Sequence, residues 1–394
     1  MNQFLNWLKP SFGQTLNYEQ KNQHGNLVAL HMGDGPVWSL LEDGGIAKNG
    51  YCRNPVVYRC VSMISEAASS IPLVACEDRV DCDEHPILDL VQKPNAHQSG
   101  VLLLQSLYAH LLISGNAYLN RVSVDGVPKE LYSLDPSRMA PIKDDRGWPE
   151  AYNYSTVSGQ VRYSTTGVAP EVLRLSMFNP LDDTNGLSPL RSAHMALDIH
   201  NAASSWNKAL LDNSARPSGA LVYAAATGEN LSEDQFNRLK SELEEGYTGA
   251  TRAGRPMVLE GGLDWKAMAF SPRDMDFLEA KNGAAREIAL AFGIPPMVLG
   301  IPGDNTYSNY QEANRAFWRQ TIIPLVEKIT QQIGNWLTAD FEGTAQLRPN
   351  YDTVHALNEE REKLWSRIGA AEFLTSDEKR EVLGFAPLEG EGNV

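Results

Sequence analysis

SPRDMDFLEAKNGAAREIALAFGIPPMVLGIPGDNTYSNYQEANRAFWRQTIIPLVEKITQQIGNWLT, residues 271–338, reads as helix, ordered loop, helix. From Asp274 to Phe292 the apolar residues Phe277, Ala280, Ala284, Ile288 and Ala291 recur at helical spacing, and Gly293 with Pro295-Pro296 ends the run. Gly300, Pro302, Gly303, Asp304 and Asn305 give the loop its turn chemistry. The second helix carries Ile322, Leu325, Ile329, Ile333 and Trp336 on one stripe. Pro324 lies inside it, where the missing N–H and the ring clash predict a kink. Two long helices around a polar loop suit a moving or narrow part; the same spacing also suits an ordinary helical hairpin in a core.

Upstream, Asn54-Pro55 is a cap and first-turn pair opening an amphipathic helix through Val57, Cys60, Val61, Ile64, Ala68 and Ile71 to Pro72. After an acidic turn, Asp81 to Glu84, a second helix runs from about Ser99 to Ser114 and stops at Gly115; His110 on its face reads as a packed histidine. Between Asn116 and Phe178 the pattern is one of short strands. Asp125-Gly126 marks a hairpin and Arg146-Gly147 another turn. Helical period returns at Pro189 with Met195, Ile199, Ala202, Trp206 and Leu210 on one stripe, interleaved with Ala193, Ala203 and Ala209, in a helix of about 25 residues. A strand, helix, strand, strand unit follows at 218–270, its helix opened by the capping box Ser232 to Gln235. It reads as an insertion between two antiparallel helices. A strand, AQLRPNY, an acidic helix from about Thr353 to Ile368, and a helix capped by Thr375 to Glu378 close the chain. The order predicts an α+β protein, and 1–50 reads as an arm with no assigned element.

At 394 residues with 42% hydrophobic content the chain can bury a sizeable core in more than one domain. Its net charge of -15 argues against tight, charge-driven binding of a nucleic-acid backbone, while an acidic surface suits a protein past which DNA slides. The four cysteines, Cys52, Cys60, Cys76 and Cys82, read as reduced thiols, and the spacing of Cys76, Cys82 and His85 matches no zinc pattern. No apolar run reaches the length of a membrane span, so no membrane partner is expected.

Catalytic signatures are missing. There is no phosphate-binding G-x-x-x-x-G-K-[ST], no H-E-x-x-H and no G-x-S-x-G, and the Gly-rich run 246–254 follows a helix instead of opening one. Asp274 and Asp276 read as helix-start carboxylates, and Phe317 and Trp318 as core or interface anchors. No catalytic residue, metal or cofactor is expected. An alternative is a metal-dependent nucleic-acid-processing enzyme using Glu171, Asp182 and Asp183, although those residues are better explained as the turn before the helix at 189. A third reading is an oligomeric scaffold unrelated to DNA.

With these pieces placed, the sequence resembles the HK-ninety-seven-like branch of the phage portal family, the head-to-tail connectors of tailed phages and gene-transfer particles. The resemblance is carried by Pro55 to Cys60, Ser70 to Leu73, Gly115-Asn116-Ala117-Tyr118, Leu134-Asp135-Pro136, Gly186 to Leu190, Arg216 to Gly219, Arg286 to Ala289, Phe292 to Pro296, Tyr307-Ser308-Asn309 and Thr321 to Pro324. It implies a wing (51–186), a stem helix (187–217), a clip (218–270), a second stem helix (271–293), a tunnel loop (294–310), a wing spine helix and strand (311–351), and a short crown with the tail (352–394). It further implies a homo-oligomeric ring, typically of twelve subunits, at one capsid vertex of a virion or phage-like particle assembled in the bacterial cytoplasm. Double-stranded DNA would pass through it without sequence specificity, with terminase large subunit, head-tail adaptor and major capsid protein as partners. Gly303, Asp304, Asn305, Thr306, Tyr307, Ser308 and Asn309 would face DNA. Met195, Ile199, Ala202, Trp206, Ala284 and Ile288 would form the stem interface.

Overall fold

Asn54 caps the first long helix, α1 (Pro55–Ser69), its side-chain oxygen accepting from the amides of Val56 and Val57 at 3.0 and 3.2 Å. The computed structural model describes residues 47–383 except 78–79, 83–84, 166–169, 213–218, 224–231, most of 233–262, 268–276, 303–306, 340 and 342–345. Val57, Cys60, Val61, Ile64 and Ala68 are buried on one stripe of α1. Burial pushes the Cys60 thiol up to about 12, so this cysteine is an inert part of the core.

Two strands and a short helix follow that apolar periodicity did not reveal. β1 (Leu73–Glu77) pairs antiparallel with β2 (Val80–Cys82) and also with β11 (Gln346–Pro349), Leu73 standing opposite Pro349. α2 (Pro86–Gln92) is capped by His85, whose Nδ1 accepts from the Ile87 amide at 3.2 Å. α3 (Gly100–Ser114) starts at the Ser99 cap and ends at Gly115, which adopts φ 82°. Leu103, Leu107 and Leu111 pack it onto α1.

β3 (Asn116–Val124) and β4 (Val127–Leu134) form the expected hairpin, with Asp125 and Gly126 at φ 53° and 82°, the left-handed pair that a two-residue turn needs. β8 (Val172–Ser176) adds to the other edge of β3. A meander of β5 (Met139–Lys143), β6 (Pro149–Thr156) and β7 (Gly159–Ser164) shares a small second core with this sheet through Tyr118, Leu134, Met139, Tyr152 and Val172.

The expected helix from Pro189 is interrupted near its start, and its far end falls at residues outside the described ones. α4 (Pro189–Ser192) is capped by Ser188 and stops at Ala193, and α5 (His194–Asp212) continues from there. β9 (Gly219–Tyr223) and β10 (Leu263–Ala267) pair antiparallel between the end of α5 and the start of α6 (Phe277–Ala291), so α5 and α6 pack as antiparallel legs. The Ser232–Gln235 capping box is reciprocal, as its residue types require. At the far end, 3₁₀ turns occupy Tyr351–Thr353, where the expected strand gives way, and His355–Leu357, where the sequence suggested helix. Helix proper begins with α9 (Asn358–Gly369), and α10 (Ser376–Val382) follows the Thr375–Glu378 box.

Candidate functional site

Helix α6 ends as its residues dictate. Gly293 adopts φ 68°, and the amides of Gly293 and Ile294 reach back to Leu290 and Ala289. The segment after it is a coil of tight turns: Val298 bonds to Pro295 at 2.9 Å, Leu299 to Pro296, Gly300 to Met297 and Ile301 to Pro296. The guanidinium of Arg286, one face of α6 back, donates to the Pro302 carbonyl. The loop therefore leaves the helix from a fixed point.

Residues 303–306 lie outside the described residues, and helix α7 (Tyr307–Phe317) begins directly after them. Tyr307, Ser308 and Asn309, expected in the loop, form the first turn of that helix. The kink expected at Pro324 is resolved differently. Trp318–Ile322 forms a π-helical turn, in which the Ile323 amide bonds to the Trp318 carbonyl, and α8 (Ile323–Thr338) continues with Pro324 in its first turn. A proline there has no N–H to complete an α ladder, and the wider turn takes up the mismatch. Thr321 within the π-turn donates to the Gly293 carbonyl at 2.6 Å, tying the bend to the end of α6. Phe317 is buried, and Trp318 packs against the same core, so neither ring is free to stack on a nucleotide.

On α5 the two apolar stripes face opposite ways. Ala196, Leu197 and Ala203 face the core, while Met195 and Ile199 stand 57% and 40% exposed and Ala202 lies on the same outer face. Trp206 is half-buried. On α6 the expected interface residues Ala284 and Ile288 point inward and belong to the core of the protomer. Leu278 and Leu290 are large apolar residues of that helix that stand exposed.

Sequence reasoning missed a polar joint between α5 and α1. His200 and Asn54 are both buried. Because the Asn54 oxygen is occupied by the α1 cap, its Nδ2 donates to His200 Nδ1 at 3.0 Å and to Asn201 Oδ1 at 2.9 Å. Asn201 in turn donates to the Asn49 carbonyl at 3.1 Å. The imidazole is thereby the neutral tautomer with its proton on Nε2. Burial, and then the Lys281 ammonium, hold its pKa below the ordinary value. His110 is lowered by burial as well.

Of the residues weighed as metal ligands, Asp182 has its carboxylate engaged within its own turn, and Asp183 and Glu171 are held through their backbone. Asp182 accepts from the Thr184 hydroxyl and amide at 2.6 and 2.8 Å and from the Asn185 side chain at 2.8 Å; these bonds hold it far below the usual carboxylate range. The backbone carbonyl of Asp183 accepts from Arg174, and that of Glu171 from the Arg121 amide and the Asn120 side chain. Among the described residues no three His, Cys, Asp or Glu side chains group to hold a metal. Asp274 and Asp276 lie outside the described residues.

A family model described as phage portal protein matches residues 55–384. An uncharacterized protein of Rickettsia bellii is 41% identical over 345 residues, covering 86% of this chain and 89% of its own. The portal protein of Enterobacteria phage HK97 is 25% identical over 386 residues, covering 93% and 88%. A chain from the neck of a native gene transfer agent particle, computed with C12 symmetry, superposes with a TM-score of 0.68 at 47% identity, covering 90% of this chain and 96% of that one.

Proposed function

This chain belongs to the phage portal protein family, and from that premise we propose that it forms a closed ring through which DNA enters and leaves a phage or gene-transfer particle. The observation that carries the reading is the outward apolar row Met195, Ile199 and Ala202 on a long helix of a chain that is 47% identical to a component of a particle neck computed with C12 symmetry. A row of this kind repeated around an axis gives a head-to-tail contact that closes. On this reading 51–186 is the wing, α5 and α6 the stem, 218–270 the clip, and the segment after 351 the crown. Twelve subunits is the expected number. A terminase large subunit, a head-tail adaptor and the major capsid protein are the expected partners, and the role is structural, not enzymatic.

The channel should touch DNA without gripping it. GDNTYSN, residues 303–309, carries one formal charge, and the net charge of -15 provides no deep electrostatic trap for phosphate. The loop would be aimed by its two anchors, the Arg286 bond before it and the helical turn of Tyr307–Asn309 after it.

Negative-stain images and mass measurement of the purified protein are expected to show rings with a central channel; a protein that stays monomeric at high concentration contradicts the proposal. Within assembled particles, Asn305→Trp or Thr306→Asp is expected to leave ring yield unchanged and to cut the DNA packaged per particle sharply. Arg286→Ala should reproduce that packaging defect while lowering stability by about 1 kcal/mol or less, because the group is exposed. Normal packaging by all three variants would remove the loop from the DNA path.

A further inference from the structure

Asn54 has one side-chain amide and two tasks. Its Oδ1 accepts from the Val56 and Val57 amides and so caps α1, and that orientation leaves Nδ2 to donate to His200 Nδ1 at 3.0 Å and to Asn201 Oδ1 at 2.9 Å. Asn54 is 1% exposed and His200 4%, so neither has bulk water to turn to. The same joint ties down the chain ahead of α1. Asn201 donates onward to the Asn49 carbonyl, and the amides of Cys52, Arg53 and Asn54 close turns on the carbonyls of Ala47 and Gly50.

A proton on His200 Nδ1 cannot be added to this arrangement. An imidazolium donates from both ring nitrogens, and the group facing Nδ1 is itself a donor. A half-turn of the Asn54 amide removes the conflict by presenting Oδ1 to the ring. The same half-turn brings Nδ2 against the Val56 and Val57 amides, donor against donor, and takes the donor away from Asn201 Oδ1. If the ring moves away instead, the bond between α5 and the start of α1 is lost directly. The charged imidazole and the intact, capped joint therefore exclude one another, whichever side gives way.

The groups packed around the ring oppose its charge from each side. Helix α6 brings the Lys281 ammonium, and α1 brings the positive end of its dipole. Helix α5 and the segment ahead of α1 bring the uncharged Asn201 and Asn49. Among the described residues no carboxylate bonds to the ring to hold a proton there. We propose that His200 is an acid-operated latch: its protonation uncaps α1 and frees residues 47–53 from α5 while the rest of the protomer stays folded. This is a property of a single chain, independent of the ring reading. It differs from a general loss of stability in acid by being confined to one joint.

Hydrogen exchange of the full chain between about pH 7.5 and 5, corrected for the intrinsic pH dependence of exchange, reads the latch. The peptide holding Val56 and Val57 is expected to lose protection about fivefold or more toward the acid end, the opening that loss of a cap brings. The Ser99-capped turn at Leu102 should keep its protection over the same range. His200→Gln, which accepts from Asn54 without titrating, should hold the Val56–Val57 protection level. Lys281→Met removes a positive charge that opposes protonation, so the ring takes up its proton earlier as the pH falls and the loss should move to higher pH. Equal losses at Val57 and Leu102 would mean that the whole protomer loosens, which overturns the latch. An unchanged acid response in His200→Gln overturns it as well, as does protection at Val56–Val57 that stays level down to about pH 5. A Lys281→Met profile displaced to lower pH would place the titrating group elsewhere.

Discussion

A Gly186→Val chain is expected to yield no soluble native protein. A side chain at residue 186 would begin 2.1 Å from the Gly115 carbonyl oxygen, 2.8 Å from its carbon and 2.9 Å from the Met177 oxygen. All three are backbone atoms, so no rotamer change relieves the overlap. The approach is mutual: a side chain on Gly115 would begin 2.3 Å from the Gly186 oxygen, and Gly115 also holds φ 82°. The contact joins the α3–β3 corner to the entry of α4, with Asn116 bonded across it, so relaxation would have to pull the core open between them. Costs above about 4 kcal/mol are expected, against a total stability of about 5 to 15 kcal/mol. Even Gly186→Ala should be severely destabilised. Gly126→Ala is the control: it has φ 82° with nothing within 4 Å, and should cost only the left-handed strain of about 1 to 2 kcal/mol. If Gly186→Ala melts no lower than Gly126→Ala, the backbone contact is not as described.

The Asn54–His200 joint carries the next largest effect. Asn54→Ala removes the α1 cap, worth about 1 kcal/mol, and strands the buried acceptor on His200, at about 1 to 3 kcal/mol, with a smaller loss at the half-buried Asn201. A loss of roughly 3 kcal/mol is expected in urea unfolding. The same joint makes stability depend on pH. Since the folded state holds His200 below its ordinary pKa, the unfolded chain takes up the proton first as the solution is acidified. The contribution is full above about pH 6.5 and is lost progressively as the pH falls from there toward the folded-state pKa. His200→Gln keeps an acceptor without titrating. It should flatten the stability profile between about pH 7.5 and 5 relative to the unaltered protein, with His110 contributing equally to both. Identical slopes for the two proteins would exclude His200 as the acid-sensitive group.

How much of this was legible in the sequence can be judged element by element. The caps at Asn54, Ser99, Ser232 and Thr375 and the turn at Asp125-Gly126 stand where the residue types put them. The packing of α5 against α6 on either side of the β9–β10 pair agrees with the order of elements, as does the membership in the portal family carried by motifs spread along the chain. The strands at 73–82 did not show, because five- and three-residue strands give too little periodicity, and the partner of β1 lies at 346–349, far along the chain. Pro324 announced a disturbance correctly but not its form; whether a helix kinks or widens depends on what the flanking turn can bond to, here Gly293 through Thr321.

The same division runs through the candidate site. Sequence determined what is settled within about four residues: where helices start and stop, where the chain reverses, and which residues are apolar. Only the tertiary structure decided which apolar stripe goes inside. Met195, Ile199 and Ala202 are no less hydrophobic in the sequence than Ala196, Leu197 and Ala203, yet one row is covered by the packing of α5 within the protomer and the other stands exposed. Ala284 and Ile288, equal candidates by spacing, went inward. The joining of Gly115-Asn116 to Gly186, seventy residues on, likewise had no local signal, because glycine is chosen there for the closeness of a backbone that only the folded chain brings near.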